Sequence, residues 1–259
     1  MPSGNNAAEV TKRLKRQFAL RSSEFDISAN WITDKKLMRA HTDLAGSPKG
    51  RALDLCCGTG QVGRALEQKG WDVRGLDICR NMARAASFYF PALEGMAEKI
   101  PFKPGSFRLV VCRQTFQFLD IKKTLAEIAK ILAPEGVFIL SLTVPFSAAD
   151  KDWLYKVHRA KQPLLVKFYT ENDLVNNLEE CGFIIKERRV IVVRESINRW
   201  MSYAPELPIG IRQKVIDMIK NAPGEYKKLH RVKVVNEEVF ENWNWAVLKT
   251  SFIKNQAVL

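Results

Sequence analysis

The chain has 259 residues, of which 46% are hydrophobic, and it carries a formal net charge of +13. This length and composition allow one large α/β domain with a full core and exclude wholesale disorder. No apolar run is long enough to span a bilayer, and the charged stretch 11–16 stands where a signal peptide would have its apolar core. The sequence therefore predicts a cytoplasmic protein.

The positive charge admits several kinds of partner. Nucleic acid, an acidic protein or anionic substrate, and peripheral contact with an anionic membrane all favour a basic surface. A solvated basic surface without a specific partner is the alternative. The five cysteines show no Cys-x-x-Cys spacing, so we expect neither a metal site nor a disulfide.

The sequence predicts that residues 1–50 form an N-terminal helical cap. Val10, Leu14 and Phe18 recur every four residues, which indicates an amphipathic helix over 8–21 with basic residues around the apolar stripe. Such a helix can lie on phosphate or lipid, or simply pack over a fold. A second helix is predicted over 31–44.

From Arg51 onward, strand and helix patterns alternate. Strands are predicted over 52–56, 72–76, 92–94, 107–112 and 136–143, and helices over 61–69, 81–88 and 122–132, the last ended by a turn at 133–136. This alternation predicts right-handed βαβ units and a parallel sheet.

The pattern changes after Val144. Residues 145–168 form a polar, aromatic-rich segment without a predicted element, and a helix over 171–180 and a strand over 184–193 follow. A helical lid with a helix over 211–220 is predicted as an insertion, before a final strand over 239–252. The predicted organisation is a cap (1–50), an α/β core (51–193), an inserted lid (194–238) and a final core strand (239–259).

A glycine turn follows the first strand of the core, in Leu53-Asp54-Leu55-Cys56-Cys57-Gly58-Thr59-Gly60. Glycine lets a ligand approach the backbone, and the turn opens a helix whose free N–H groups favour electron-rich atoms. Asp77 ends the next strand, about 20 residues after the first glycine, where a carboxylate can accept both hydroxyls of a ribose. The segment predicts an adenosine-type cofactor, although the spacing Gly58-x-Gly60-x-x-Gly63 also occurs in dinucleotide sites.

Two later segments extend the pattern. They are Gly95-Met96-Ala97-Glu98-Lys99-Ile100-Pro101-Phe102, with the strand after it, and Ile128-Ala129-Lys130-Ile131-Leu132-Ala133-Pro134-Glu135-Gly136. With the turn, they make residues 51–144 resemble the class I S-adenosylmethionine-dependent methyltransferases, and the chain looks closest to the small-molecule branch that includes quinone-ring methyltransferases. The resemblance implies an α/β, Rossmann-like, mostly parallel seven-stranded sheet with helices on both faces. It implies S-adenosyl-L-methionine as cofactor and S-adenosyl-L-homocysteine as product.

The resemblance also implies a set of cofactor-binding residues. Asp54 and the glycine turn would hold the methionine portion, Asp77 the ribose, and the residues after the second and third strands the adenine. The full set is Asp54, Cys56, Gly58, Thr59, Gly60, Asp77, Ile78, Met82, Met96, Ala97, Glu98 and Arg113. Asp54 as a buried core acid, Met82 as core filler and Cys56 as a packing residue are the alternatives.

The acceptor site and the catalytic group are less marked in the sequence. Three histidines are available as near-neutral bases, and His158 follows the fifth strand, where a substrate wall is expected. A surface or capping histidine is the alternative. A substrate pocket is predicted from Trp31, Gln114, Phe146, Tyr155, Trp200 and Tyr203, although ordinary packing of lid helices also explains its aromatic residues.

Three functions are compatible with these patterns. The first is methyl transfer to a small molecule, aromatic or anionic. The second is methylation of RNA or protein; no added RNA-binding module is visible, and the basic residues are scattered rather than interleaved with aromatic ones. The third is a cofactor-binding partner protein without turnover.

Overall fold

The computed structural model describes residues 4–208 and 210–253, and a central sheet organises them. Its strands are β1 (Arg51–Leu55), β2 (Asp72–Asp77), β3 (Ala92–Glu94), β4 (Phe107–Arg113), β5 (Leu132–Val144), β6 (Phe183–Ser196), β7 (Lys233–Val235) and β8 (Glu238–Phe252). The strand order is β3-β2-β1-β4-β5-β8-β6, and β7 pairs with β8. The first five strands pair in parallel, while β8 runs antiparallel between β5 and β6.

Helices flank this sheet. They are α1 (Gly4–Arg21), α2 (Asn30–Thr33), α3 (Lys35–Ala45), α4 (Gln61–Glu67), α5 (Arg80–Ala86), α6 (Ile121–Ile131), α7 (Ala148–Lys161), α8 (Glu171–Glu180), α9 (Ile197–Ser202), α10 (Ile211–Lys220) and α11 (Gly224–Leu229). Two short 3₁₀ helices cover Ser22–Ile27 and Phe116–Phe118.

The sheet has a hydrophobic core on each face. Successive strand residues point to opposite faces, so Ala52 of β1 joins one core while Leu53 and Leu55 join the other. Helices α3, α4 and α10 contribute to the first core, and α6 and α8 to the second. Both faces of the parallel strands are therefore buried, as the predicted α/β class requires.

The strand order creates a crevice beside β1. The chain leaves β1 toward β2 and β3 and then returns to β4 on the other side of β1. At such a reversal the loops after the two central strands diverge, and ligands bind outside their carboxyl ends. The glycine turn follows β1 and Arg113 ends β4, so both lie at this edge.

The predicted fold class is confirmed, and the three-residue strand β7 adds an eighth strand to the predicted seven. The predicted strand over 184–193 extends to Phe183–Ser196. The predicted turn at 133–136 lies inside β5, where Glu135 has φ of +60° and the register with β4 shifts.

Two helix predictions differ from the structure. The single helix predicted over 31–44 is divided at Asp34, because the Asp34 side chain accepts a hydrogen bond from the Leu37 backbone at 2.8 Å and starts a new helix. The segment 145–168 contains α7, which begins with a capping box between Ser147 and Asp150. Among the described residues, no helix is both long and apolar enough to cross a membrane.

Candidate functional site

The glycine turn has the backbone conformation that its sequence predicts. Gly58 and Gly60 have φ of +53° and +87°, in the left-handed region that favours glycine. A Cβ atom on Gly63 would lie 2.3 Å from the Phe90 ring and 2.9 Å from Asp54 Oδ2. Glycine at 63 therefore lets the first turn of α4 approach the Asp54 carboxylate.

Two buried carboxyl groups flank the turn. Asp54 Oδ2 accepts a hydrogen bond from the Gly63 backbone at 2.7 Å, and burial raises the pKa of Asp54 to about 7. Asp77 accepts backbone hydrogen bonds from Gly58 and Cys79, each at 2.8 Å, and burial raises its pKa to about 6. Among the described residues, neither carboxyl group has a salt-bridge partner.

These two groups fit the cofactor that the sequence resemblance implies. Burial makes an ionised carboxylate costly, and for Asp54 the nearby Arg113 offsets only part of that cost. A cationic ligand such as an amino acid ammonium group lowers it further. Each oxygen of Asp77 accepts one backbone N–H and retains a second acceptor position for a hydroxyl. Asp54 thus suits the methionine portion and Asp77 the ribose.

Arg113 connects the N-terminal segment to this edge of the sheet. Its Nη1 donates to the backbone carbonyls of Trp31 at 3.4 Å and Ile32 at 3.1 Å, and its guanidinium lies 5.1 Å from the centre of the Trp31 ring. Burial lowers the pKa of Arg113 to about 10, so it remains charged at neutral pH. Part of its hydrogen-bonding capacity is therefore used to hold the cap.

The 3₁₀ helix Ser22–Ile27 covers the glycine turn. The sequence does not predict this helix or its contact with the turn. Asp26 accepts hydrogen bonds from Thr59 Oγ1 at 2.5 Å and from Gln61 Nε2 at 2.7 Å. The Phe25 ring lies 3.8 Å from the position a Cβ on Gly58 would take. No local pattern could mark Asp26, because its partners are 33 and 35 residues away.

The predicted adenine-side residues follow β2 and β3. The Gly95 backbone donates to the Asp77 carbonyl at 2.8 Å and brings the segment 96–98 beside the end of β2. The Met96 side chain is exposed, Ala97 is buried, and Glu98 accepts a hydrogen bond from the Asp120 backbone at 3.3 Å. Met82 is buried and Ile78 is partly buried.

Cys56 is partly buried and packs against the hydrophobic core that contains Leu53 and Leu55. A hydrogen bond with the Cys112 side chain, together with burial, raises the pKa of the Cys56 thiol, which keeps it neutral. All five cysteines are free. Within the described parts of the chain, no three His, Cys, Asp or Glu side chains form a group that could hold a metal ion.

A cavity lies between the N-terminal segment, the ends of β4 and β5, and the helices α7 and α9. We call it the acceptor cavity, after the role proposed for it below. It is lined by Phe18, Arg21, Phe25, Ser28, Ala29, Trp31, Gln114, Gln117, Phe118, Leu142, Thr143, His158, Lys161, Gln162, Leu165, Phe168, Tyr169, Trp200, Tyr203 and Trp243. Of the predicted pocket residues, Trp31, Gln114, Trp200 and Tyr203 line it, as does His158.

Phe146 and Tyr155 were predicted in this pocket, but the structure places them outside it. Phe146 packs edge-on against His230, with ring centres 5.0 Å apart. Tyr155 lies 5.9 Å from Phe168 on the side of α7 where its hydroxyl accepts a hydrogen bond from Arg159 at 3.0 Å. The helical spacing of α7 places His158 and Lys161, rather than Tyr155, in the cavity wall. The sequence does not predict this helix.

His158 sits among aromatic rings. The ring centres of Trp243, Trp200 and Phe168 lie 5.0, 5.2 and 5.6 Å from that of His158. Burial lowers the pKa of His158 to about 3, so the imidazole is neutral at physiological pH. Its Nε2 has no hydrogen-bond partner among the described residues.

The other two histidines are engaged elsewhere. His41 Nε2 lies 2.7 Å from Ser141 Oγ, and its other ring nitrogen lies 2.7 Å from the Leu37 carbonyl. His230 contacts Asp150 and the Asn242 carbonyl, each at 2.9 Å. Of the three, only His158 lines the acceptor cavity.

Comparisons with known proteins agree with this architecture. Residues 53–140 match the family described as "Methyltransferase domain". The uncharacterized methyltransferase sll0829 of Synechocystis is 35% identical over 162 residues, which cover 60% of this chain and 73% of that protein. The demethylmenaquinone methyltransferase of Thermus thermophilus is 34% identical over 137 residues, 48% of this chain and 62% of that protein. The alignments with the first two curated relatives span 46% and 73% of those proteins.

Solved structures show the same fold. YcgJ of Bacillus subtilis superposes with a TM-score of 0.69 at 16% identity, covering 82% of this chain and 96% of that chain. The geranyl diphosphate C-methyltransferase of Streptomyces coelicolor, solved with S-adenosyl-L-homocysteine, gives a TM-score of 0.57 at 11% identity, covering 85% of this chain and 81% of that chain. The sequence match to sll0829, the match to the methyltransferase family model and the shared fold together show the family. The chain belongs to the class I S-adenosylmethionine-dependent methyltransferases.

Proposed function

We propose that the protein transfers the methyl group of S-adenosylmethionine to a small molecule bound in the acceptor cavity. One observation carries this proposal: Phe25 both lines the acceptor cavity and lies against Gly58 of the glycine turn. The cofactor turn and the acceptor cavity therefore share a wall, which is the arrangement that methyl transfer between two bound molecules needs.

The residues around the two sites have separable tasks. The cofactor supplies a methyl group already activated on a sulfonium. Asp54 and Asp77 hold the cofactor by charge and hydrogen bonds, and Trp31 and Trp200 exclude water from the acceptor cavity. Much of the rate then comes from alignment of the acceptor rather than from a dedicated catalytic group.

We propose His158 as the residue that orients the nucleophile of the acceptor. Its free Nε2 can accept a hydrogen bond from an acceptor O–H or N–H group. A general base works best with a pKa near the working pH, and the pKa of His158 is about 3 in the free protein. Hydrogen bonding by the neutral ring is therefore the role that its surroundings favour over full proton removal.

Binding of S-adenosyl-L-homocysteine measured by calorimetry tests the cofactor site. We expect Asp77→Ala to weaken binding by about 10- to 100-fold, because hydrogen bonds to a charged group contribute about 1.5–3 kcal/mol. Asp72→Ala is the matched control, since Asp72 begins the same strand, is exposed and pairs with Arg51 and Arg74. Equal affinity in wild type and Asp77→Ala would contradict the proposed site.

The acceptor class requires a second measurement. Methyl transfer from labelled cofactor into a metabolite extract, an RNA fraction and a protein fraction separates the three predicted functions. We expect label in the small-molecule fraction. Label confined to RNA or to protein would overturn the proposed acceptor class, and cofactor binding without transfer to any fraction would favour the non-catalytic alternative.

A further inference from the structure

Lys161 is a buried lysine on the wall of the acceptor cavity. It ends α7, is 3% exposed, and its Nζ donates to the Trp200 carbonyl and lies 4.3 Å from the centre of the Trp200 ring. Among the described residues it has no salt-bridge partner. Burial lowers the pKa of this ammonium group well below its usual range, as expected for a cation without a counterion.

Neither acidic group near Lys161 forms a salt bridge with it in the described parts of the chain, although Glu206 Oε2 has no hydrogen-bond partner there. Glu206 forms an ion pair with the buried Arg21, which also lines the cavity. Glu195 accepts backbone hydrogen bonds from Asn30 at 2.8 Å and Trp31 at 2.6 Å, and burial raises its pKa to about 8, so it is largely neutral at pH 7. Neither carboxyl group therefore pairs with Lys161, and an anionic ligand beside Lys161 would stabilise its charged form.

Three polar atoms in the cavity wall have unused hydrogen-bonding capacity. Arg21 Nε, Gln117 Oε1 and His158 Nε2 are buried without a hydrogen-bond partner among the described residues, and the three side chains are at least nine-tenths buried. Buried polar atoms are nearly always satisfied in folded proteins. Unpaired polar atoms beside a buried lysine without a salt-bridge partner indicate a cavity built for a polar, anionic ligand.

The rest of the wall limits the shape of that ligand. The rings of Phe168, Trp200 and Trp243 surround His158 at 5.0–5.6 Å. Flat apolar walls of this kind favour a planar ligand body. A carboxylate is planar, carries one negative charge and can accept a hydrogen bond from the single amine of Lys161.

We infer that the methyl acceptor is a planar organic carboxylate whose anionic group binds Lys161, which makes Lys161 a specificity-determining residue. This inference rests on the proposed function, because it assigns a substrate class to the same acceptor cavity. The ammonium group exchanges its bond to the Trp200 carbonyl for, or shares it with, a charge-assisted hydrogen bond to the carboxylate. The neutral analogue of the same ligand lacks that bond.

Paired probes test this inference in the full-length protein saturated with S-adenosyl-L-homocysteine. The probes are benzoate, cinnamate and 2-naphthoate, each compared with its carboxamide, and binding is followed by calorimetry. We expect at least one carboxylate to bind at least tenfold more tightly than its carboxamide. Absence of carboxylate binding, or equal affinity for both members of every pair, would overturn the inference.

Variants of α7 locate the preference. Lys161→Met should abolish it, and Lys161→Arg should retain part of it because the charge remains. Lys156→Met is the matched control, since it removes one exposed charge from the same helix and should keep the full preference. A preference that survives Lys161→Met would assign the anion to another residue.

The order of measurements separates this inference from the proposed function. S-adenosyl-L-homocysteine binding is measured first, without probes. If the cofactor product does not bind, the proposed function fails. If it binds and no carboxylate is preferred, the assigned acceptor class fails while the proposed function stands.

Discussion

Asp54 and Asp77 give the cofactor site a dependence on pH. Burial raises their pKa values from 3.8 to about 7 and about 6, so at pH 5 both are mostly protonated in the free protein. Because the folded pKa values lie above the unfolded ones, their contribution to the stability of the free protein is present below pH 3.8 and is lost as the pH rises toward 7. Cofactor binding has the opposite sign, since a cationic ligand selects the ionised forms.

We therefore expect S-adenosyl-L-homocysteine to bind about tenfold or more weakly at pH 5 than at pH 7, because two pH units below the pKa leave about 1% of a carboxyl group ionised. Calorimetry at both pH values measures the ratio. Asp54→Asn keeps an acceptor for the Gly63 backbone but cannot ionise, so its binding should be weaker at pH 7 and should vary less with pH. A constant affinity in wild type would contradict the assigned pKa shifts.

Three of the residues that the sequence predicts for the cofactor site lie close together along the chain. Asp54, Gly58 and Asp77 lie within a single strand–turn–helix–strand unit, so their spacing along the chain reflects their spacing in the fold. Asp26 and Lys161 have partners 33 and 39 residues away, and no local pattern encodes such contacts. The strand, turn and helix around the proposed cofactor site could therefore be predicted from the sequence, whereas the contacts of Asp26 over the turn and of Lys161 in the cavity wall required the tertiary structure.

At the scale of elements, the 3₁₀ helix Ser22–Ile27 acts as a cover over the cofactor turn. It is held there by Asp26, which bonds Thr59 and Gln61, and by the contact of Phe25 with the turn. Since this helix lies over the turn, we predict that cofactor entry and release at the proposed site require it to move.

We expect Asp26→Ala to speed release of S-adenosyl-L-homocysteine by about 5- to 100-fold, because two hydrogen bonds at roughly 0.5–1.5 kcal/mol each hold the cover closed. Stopped-flow displacement measures the rate. Glu24→Ala is the matched control, because Glu24 is an exposed acidic residue of the same 3₁₀ helix. It should leave the release rate unchanged. Equal release rates in Asp26→Ala and wild type would show that the cover does not gate the site.

Element boundaries were predictable where hydrophobic periodicity coincided with local capping signals. The helix over 171–180 matches α8, whose Thr170 and Asp173 form a capping box. The same signal at Ser147 and Asp150 marks α7, but the buried face of this helix carries Asp150, His158 and Lys161 beside Leu154 and Val157. Polar residues on the buried face remove the hydrophobic periodicity, so the sequence does not predict the helix. Without α7, the sequence does not show which residues of 148–161 face the cavity. Tyr155 is therefore predicted in the pocket, and Lys161 is not.

At the scale of the whole molecule, where the net charge is +13, basic residues lie on both faces of the sheet. Helices α4 and α6 contribute to the two opposite cores, and both carry basic residues. Several of these residues are paired, such as Lys122 with Glu180 at 3.1 Å and Lys130 with Glu127 at 3.2 Å. A nucleic-acid interface would instead gather unpaired basic residues along one groove with aromatic side chains for stacking.

This distribution predicts weak, nonspecific binding to polyanions. Binding to single-stranded RNA should fall about tenfold or more between roughly 50 and 200 mM salt, because displaced counterions drive such association. It should not differ between homopolymers of uridine and adenosine. Fluorescence anisotropy with the two labelled RNAs measures the salt dependence and the difference between the homopolymers. A neutral dextran is the control for binding that does not depend on charge. Salt-resistant binding to one sequence would contradict the small-molecule acceptor, since scattered charges cannot read bases.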